Sequence, residues 1–96
     1  MKTEPNFDIL KIDTNPISLR IISDICVVYN YKKYLPTIDF LELKKKQRFS
    51  MYVGATSIAT FFENLRDKSN GVIIDYEIWI QKENDDKFAK YIISEK

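Results

Sequence analysis

Apolar and polar residues alternate along most of the chain with the two-residue period of half-buried β-strands. The longest alternating stretch covers residues 16–31 and is interrupted at Ser23. Its β-branched side chains favour one long bent strand, because they lose rotamer freedom in a helix. The apolar face of that strand would contain Ile17, Leu19, Ile21, Ile25, Val27 and Tyr29. A helix over residues 16–28 is the competing interpretation, since Asn15 followed by Pro16 is typical of a helix start.

Shorter strands follow from the same pattern. They cover residues 38–44, 48–53, 72–81 and 87–93. Pro36 lacks an N–H donor and predicts a turn at residues 32–37, before the second strand. The third strand is expected to turn Arg48, Ser50 and Tyr52 outward, and the fourth to turn Trp79 outward. The apolar face of the fourth strand would contain Val72, Ile74, Tyr76, Ile78 and Ile80.

Between the third and fourth strands the pattern changes to that of a helix. Ile58, Phe61, Phe62 and Leu65 have the spacing that lines one helical face. Thr56 or Ser57 is expected to cap the first turn, and Gly71 is expected to end the helix in a left-handed conformation. At the other end of the chain, the polar residues 1–15 are predicted to form an arm or a short lead-in strand.

Composition indicates one soluble domain spanning residues 1–96. The chain is 45% hydrophobic and 30% charged, which is typical of a globular protein. It has no apolar run near the roughly 20 residues that span a bilayer and no signal-peptide pattern at its start, so we expect a cytoplasmic protein without membrane contact. The single cysteine, Cys26, excludes a disulfide within one chain.

Residues that commonly carry enzyme chemistry are scarce. The chain has no histidine and one cysteine, so zinc sites of the usual kinds cannot be built and the commonest general base is missing. The glycine-rich phosphate-binding motifs are missing as well. We therefore expect a protein that is not an enzyme, with no catalytic residues, no metal site and no cofactor.

The middle third of the chain is locally basic and contains interleaved tyrosines. Stacking of a base on an aromatic ring contributes about 1–3 kcal/mol, and lysines neutralise phosphates, so this mixture favours an unpaired nucleic-acid strand. Lysine runs are also typical of solvated hairpin tips, and tyrosines at strand ends are typical of rim packing. The candidate nucleic-acid-binding residues are Tyr29, Tyr31, Lys32, Lys33, Tyr34, Lys44, Lys45, Lys46, Arg48, Tyr52 and Trp79.

The order of three strands, a helix and two strands is that of the OB-fold, a mainly β, five-stranded Greek-key barrel with one helix between strands 3 and 4. Over FSMYVGATSIATFFENL, GVIIDYEIWIQKE and KFAKYII the chain resembles the small OB-fold single-stranded-DNA-binding proteins of phages, viruses and mobile elements. The resemblance implies binding of single-stranded DNA, or RNA, across the second and third strands. It also implies a part in replication or recombination of a phage or mobile element.

A protein-interaction module without nucleic-acid binding is the alternative function. In that interpretation Trp79 and the neighbouring strand edges form a homo-oligomer, or dock a replication or recombination enzyme. The two functions make different demands on the surface. Nucleic acid requires accessible rings beside cations, whereas a subunit contact requires an exposed apolar patch on a strand.

Overall fold

The computed structural model describes residues 3–96, which form one six-stranded, antiparallel sheet and one helix. The elements are β1 (Ile17–Ile21), β2 (Cys26–Asn30), β3 (Lys33–Glu42), β4 (Gln47–Tyr52), α1 (Thr56–Lys68), β5 (Glu77–Lys82) and β6 (Tyr91–Glu95). Strands lie in the order β2, β3, β1, β5, β6, and β4 pairs with β3. The mainly β class and the place of the helix are confirmed. The predicted five-stranded barrel is not confirmed, because the sheet has six strands within the described range and is not closed.

β1 and β2 together occupy the predicted long strand, so the competing helix over residues 16–28 is wrong. Both pair with the same edge of β3, since β4 takes the other edge. Ile21 pairs with Phe40, and Cys26 pairs with Thr37. These two pairs are five positions apart along the β1–β2 segment but only three apart along β3, so two extra residues bulge out between β1 and β2. Ser23 stabilises this bulge, because its Oγ accepts a hydrogen bond of 2.9 Å from the backbone N–H of Asp39.

The hydrophobic core lies between α1 and the inner face of the sheet. Its most buried members are Leu19, Ile21, Ile38, Phe40, Ile58, Phe62, Leu65, Ile73, Ile78 and Ile80. The rings of Phe40 and Phe62 lie 6.1 Å apart between their centroids. Phe61, predicted on the same helical face, is only half-buried.

Both ends of α1 differ in detail from the prediction. Ala55 occupies the N-cap, so neither Thr56 nor Ser57 caps the first turn with its hydroxyl. At the C-terminal end, Arg66 and Lys68 lie in the last turn, where cations complement the helix dipole. The left-handed residue directly after the C-cap Ser69 is Asn70, with a φ of 57°, rather than the predicted Gly71. Gly71 follows it with a φ of 87° and donates its N–H to the carbonyl of Arg66 at 2.8 Å.

The starts of three predicted strands were wrong by four or five positions. β3 begins at Lys33, so Pro36 lies inside a strand and the turn is restricted to Tyr31 and Lys32. β5 begins at Glu77 rather than at residue 72. Asp75, with a φ of 75°, donates its N–H to the carbonyl of Ile21, and the turn at this point leaves two residues of the predicted apolar face exposed. Ile73 is buried in their place, whereas Val72 and Ile74 are exposed. β6 begins at residue 91 rather than 87.

The N-terminal strap, defined as residues 6–13, spans the gap between β4 and β5. Ser50 donates its N–H to the carbonyl of Asp8 and accepts from the N–H of Leu10, both at 2.9 Å. At the other end, Lys82 donates its N–H to the carbonyl of Asp13 at 2.7 Å. The predicted lead-in strand is thus a single parallel bridge between Ile9 and Ser50, and residues 1 and 2 of the predicted arm lie outside the described residues. Within residues 3–96 no helix is long and apolar enough to cross a membrane.

Candidate nucleic-acid interface

The β2–β3 hairpin ends in a two-residue turn with an unusual backbone. Tyr31 and Lys32 both have positive φ, 50° and 59°, between the paired residues Asn30 and Lys33. Turns of this kind match the twist of the strands but favour asparagine and glycine, since a left-handed conformation costs other residues roughly 1–2 kcal/mol. Asn30 offsets part of this cost by accepting a hydrogen bond of 2.9 Å at its Oδ1 from the N–H of Tyr31.

Three tyrosine rings are accessible on this hairpin. Tyr29 and Tyr34 face each other across the strands with ring centroids 5.1 Å apart, and they are 39% and 64% exposed. Tyr31 at the tip is 74% exposed, and the lysines beside it are exposed as well. Val27 and Tyr29, which lie on the predicted apolar face, are exposed, whereas Val28 between them is buried. Rings and cations are therefore available to a ligand in the same place.

The β3–β4 hairpin holds the second group of predicted cations, and its turn at residues 43–46 agrees with the predicted hairpin. Glu42 is only 6% exposed, and its two carboxylate oxygens accept the N–H groups of Lys44 and Lys45 at 2.9 and 2.7 Å. The buried carboxylate thus fixes the turn through the backbone. The side chains of Lys44, Lys45 and Lys46 remain exposed to solvent.

The strap covers part of the outer face between the two hairpins. Ser50 lies on that face as predicted but is completely buried, whereas Arg48 is exposed and Tyr52 is half-buried. The Ser50 hydroxyl donates a hydrogen bond of 2.6 Å to Asp39 and accepts one of 3.1 Å from the N–H of Phe7. Asn6 donates a second hydrogen bond to the Asp39 carboxylate at 2.7 Å. The centre of the face implied by the resemblance is therefore occupied by the protein's own chain.

Trp79 lies on the outer face of β5 and is 41% exposed, as the strand pattern predicted. The ammonium of Lys96 lies 4.8 Å from the centroid of the Trp79 ring and donates a hydrogen bond of 2.8 Å to the hydroxyl of Ser18. Trp79 also lines a cavity of about 810 Å³ whose wall includes Lys44 and Lys45. Trp79 is thus brought together with two predicted lysines that are far from it in the sequence.

The β2–β3 hairpin, here called the tyrosine hairpin, and the β3–β4 hairpin, here called the lysine hairpin, are not brought together. They lie at opposite ends of β3, whose ten residues span about 30 Å at the usual strand rise. The predicted residues therefore form two groups, one at each end of the same strand. A single small ligand cannot contact both groups.

Several features of this surface were missed in the sequence. Arg20 binds Glu77 across the outer face at 2.7 Å, and this hydrogen bond, reinforced by the charge of Arg20, holds the pKa of the Glu77 carboxyl below its ordinary value. Arg20 and Glu77 are direct partners in the pairing of β1 with β5, and no local sequence pattern indicates this pairing. The contact of Asn6 with Asp39 likewise joins isolated polar residues that belong to no periodic pattern.

Comparison with known proteins adds no relative. No protein-family model, no curated protein and no solved structure matches the chain. Within residues 3–96 no group of three or more histidine, cysteine, aspartate or glutamate side chains could hold a metal ion. The resemblance to OB-fold single-stranded-DNA-binding proteins stays a prediction.

Proposed function

We propose that the protein binds single-stranded DNA or RNA with little sequence preference and without catalysis. The tyrosine hairpin is one contact region and the lysine hairpin is the other. The observation that carries the proposal is the exposure of Tyr29, Tyr31 and Tyr34 beside Lys32 and Lys33. Rings that stack on bases next to ammonium groups that neutralise phosphates are what sequence-tolerant binding to an unpaired strand requires.

The backbone of the hairpin tip supports the proposal independently. Tyr31 and Lys32 occupy conformations in which asparagine and glycine would be more stable. A local conflict of this kind is expected where function rather than folding selects the side chains. The exposed ring and ammonium are thus retained at a cost in stability, which favours a ligand at the tip.

The distribution of charge around β3 also supports the proposal. The two acidic residues of the basic middle third, Asp39 and Glu42, are 5% and 6% exposed and accept hydrogen bonds inside the protein. The cations of the same stretch are exposed. The surface at both ends of β3 is therefore more basic than the sequence of this stretch indicates, because these two carboxylates are withdrawn from it while the ammonium groups stay accessible to phosphates.

An OB-like barrel is the architecture that fits this function. β1 and β2 lie along one edge of β3 and together correspond to the single long first strand of that fold. The strap spans the gap that remains between β4 and β5. We place the activity in replication or recombination of a phage or mobile element on the resemblance alone, and the cytoplasmic location is the expectation from the sequence.

A titration with a labelled single-stranded oligonucleotide tests the proposal. The logarithm of the affinity should fall linearly with the logarithm of the salt concentration, by about 0.7 for each phosphate contact. Tyr34→Ala should weaken binding by about 5- to 150-fold, equivalent to about 1–3 kcal/mol, whereas Tyr34→Phe should retain most of it because stacking uses the ring. Lys33→Gln should weaken binding because it removes one of the charges that neutralise phosphates. Arg66→Gln, which removes an exposed cation on α1, is its control. Affinity that is independent of salt and of Tyr34 would contradict the proposal.

One observation favours the alternative, a protein-interaction module. Trp79 and Ile92 are both exposed on the outer face of the paired strands β5 and β6. They occupy diagonal positions, about 7–8 Å apart in such sheets, and so form a small apolar patch. Sedimentation velocity tests it: an oligomer that Trp79→Ala and Ile92→Ala both dissociate would support this function, and a monomer at all concentrations would exclude the homo-oligomer.

A further inference from the structure

The cavity beside Trp79 has the size and the walls of a small-ligand site. Its volume of about 810 Å³ lies within the range of about 300–1,000 Å³ that is usual for such sites. It is bounded by the strap, the start of β1, the β3–β4 hairpin and β5. Its apolar wall consists of Ile9, Leu10, Pro16, Ile17, Phe49 and Trp79. Two aromatic residues thus line a space that is large enough for a planar group.

The charged residues around this cavity are arranged asymmetrically. On the hairpin side Lys44 and Lys45 carry exposed side chains, while the carboxylate between them and the core, Glu42, is buried and engaged by their backbone N–H groups. Asp8, Lys11 and Asp13 lie on the strap side, and one Asp13 oxygen accepts the N–H of Asn15 at 2.8 Å. An anionic group is therefore favoured at the hairpin, and a hydrogen-bond donor is favoured at the strap.

Resting on the function proposed above, we propose that this cavity receives one nucleotide unit of the bound strand. Its base would pack against Trp79 and Phe49, and its phosphate would contact the ammonium groups of Lys44 and Lys45. A nucleotide joins a planar apolar body to an anion, and amino groups on its base match the carboxylates of the strap. Lys96 restrains the Trp79 ring before binding, which reduces the entropy lost on stacking.

Fluorescence gives a direct test, because Trp79 is the only tryptophan in the chain. Deoxyadenosine monophosphate should quench its emission saturably. The affinity should exceed that for deoxyadenosine or inorganic phosphate by at least about tenfold, since each of these lacks one of the two interactions. Dodecanoate, an apolar anion without a planar ring, should bind more weakly than the nucleotide. Tighter binding of dodecanoate, or equal binding of phosphate, would overturn the proposal.

The three neighbouring lysines provide matched variants. Lys44→Gln and Lys45→Gln together should lower the affinity for deoxyadenosine monophosphate by about tenfold or more. Lys46→Gln makes the same charge change in the same turn. Because Lys46 belongs to the lysine hairpin but not to the cavity wall, this variant should weaken oligonucleotide binding while changing the mononucleotide affinity by less than about twofold. Equal effects of all three lysines on the mononucleotide would overturn the proposal.

A variant that fills the cavity separates this proposal from the proposed function. Ile9 is partly exposed, so Ile9→Trp should fold and should block the space; because it adds a second tryptophan, its binding is measured by calorimetry. It should abolish mononucleotide binding and weaken oligonucleotide binding only in part, since the tyrosine hairpin is untouched. If mononucleotides fail to bind the unmodified protein while the oligonucleotide binds with the expected salt dependence, the cavity proposal fails and the proposed function stands. If the oligonucleotide does not bind, the proposed function itself fails.

Discussion

Replacing Ser50 by alanine removes the hydroxyl that joins the strap to the sheet. Ser50 is completely buried, and its Oγ makes two hydrogen bonds, as donor to Asp39 at 2.6 Å and as acceptor from Phe7 N–H at 3.1 Å. Alanine fits the same space without a clash, so the change deletes these two bonds and little else. Asp39 keeps the bond from Asn6 but loses one of its partners.

The magnitude follows from the type of each bond. A hydrogen bond to a charged group contributes about 1.5–3 kcal/mol, and Phe7 is near enough to the surface for its N–H to reach water when the strap shifts. We therefore expect Ser50→Ala to lower the free energy of unfolding by about 2–4 kcal/mol, out of the roughly 5–15 kcal/mol that is usual for a domain. The larger part of the loss comes from the buried carboxylate.

Urea denaturation measures this loss, and amide hydrogen exchange locates it. The N–H of Leu10 bonds to the Ser50 backbone carbonyl, which alanine retains, so faster exchange at Leu10 would report detachment of the strap rather than loss of that acceptor. Ser94→Ala, an exposed serine on β6, is the control and should change stability by less than about 0.5 kcal/mol. A Ser50→Ala protein as stable as this control, with unchanged exchange at Leu10, would refute the assigned role of the network.

Three further outcomes follow from individual contacts. Phe62→Ala should cost about 3–5 kcal/mol in urea denaturation, because the ring is completely buried against Phe40. Lys32→Gly should raise the free energy of unfolding by about 0.5–1 kcal/mol, since glycine adopts positive φ without strain; an unchanged or lower value would contradict strain at the tip. Glu77 has a lowered pKa, so its bond to Arg20 should stabilise the protein above the ordinary value of 4.5 and lose that effect as the pH falls below it. The difference in urea midpoint between wild type and Glu77→Gln should accordingly shrink in acid.

Local patterns predict an element correctly where the spacing of its apolar residues matches a single buried face. Phe62 and Leu65 of α1, and Ile78 and Ile80 of β5, are buried as their spacing indicates. Residues 72–76 show why a pattern is insufficient. They continue the alternation of β5, but the hydrogen bond from Asp75 to Ile21 turns the backbone there, and this contact depends on the position of a distant strand.

The candidate site divides in the same way. The tyrosines and lysines of each hairpin are adjacent in the sequence, so their grouping could be predicted locally. The approach of Trp79 to Lys44 could not, because it depends on β1 lying between β3 and β5 in the sheet. The burial of Ser50 could not be predicted either, since alternation tells which face a side chain lies on and not whether another segment covers that face.

The strap also bears on the order in which the molecule assembles. Phe7 bonds to a residue 43 positions later in the chain, and Thr14, just after the strap, bonds to one 67 positions later. During synthesis this segment emerges before its partners, and in refolding its contacts are among the slowest to form because they close long loops. Until then the free edge of β4 can accept the same segment from another molecule. Refolding at high protein concentration should therefore yield dimers that exchange their N-terminal segments, a route to association that needs no surface patch.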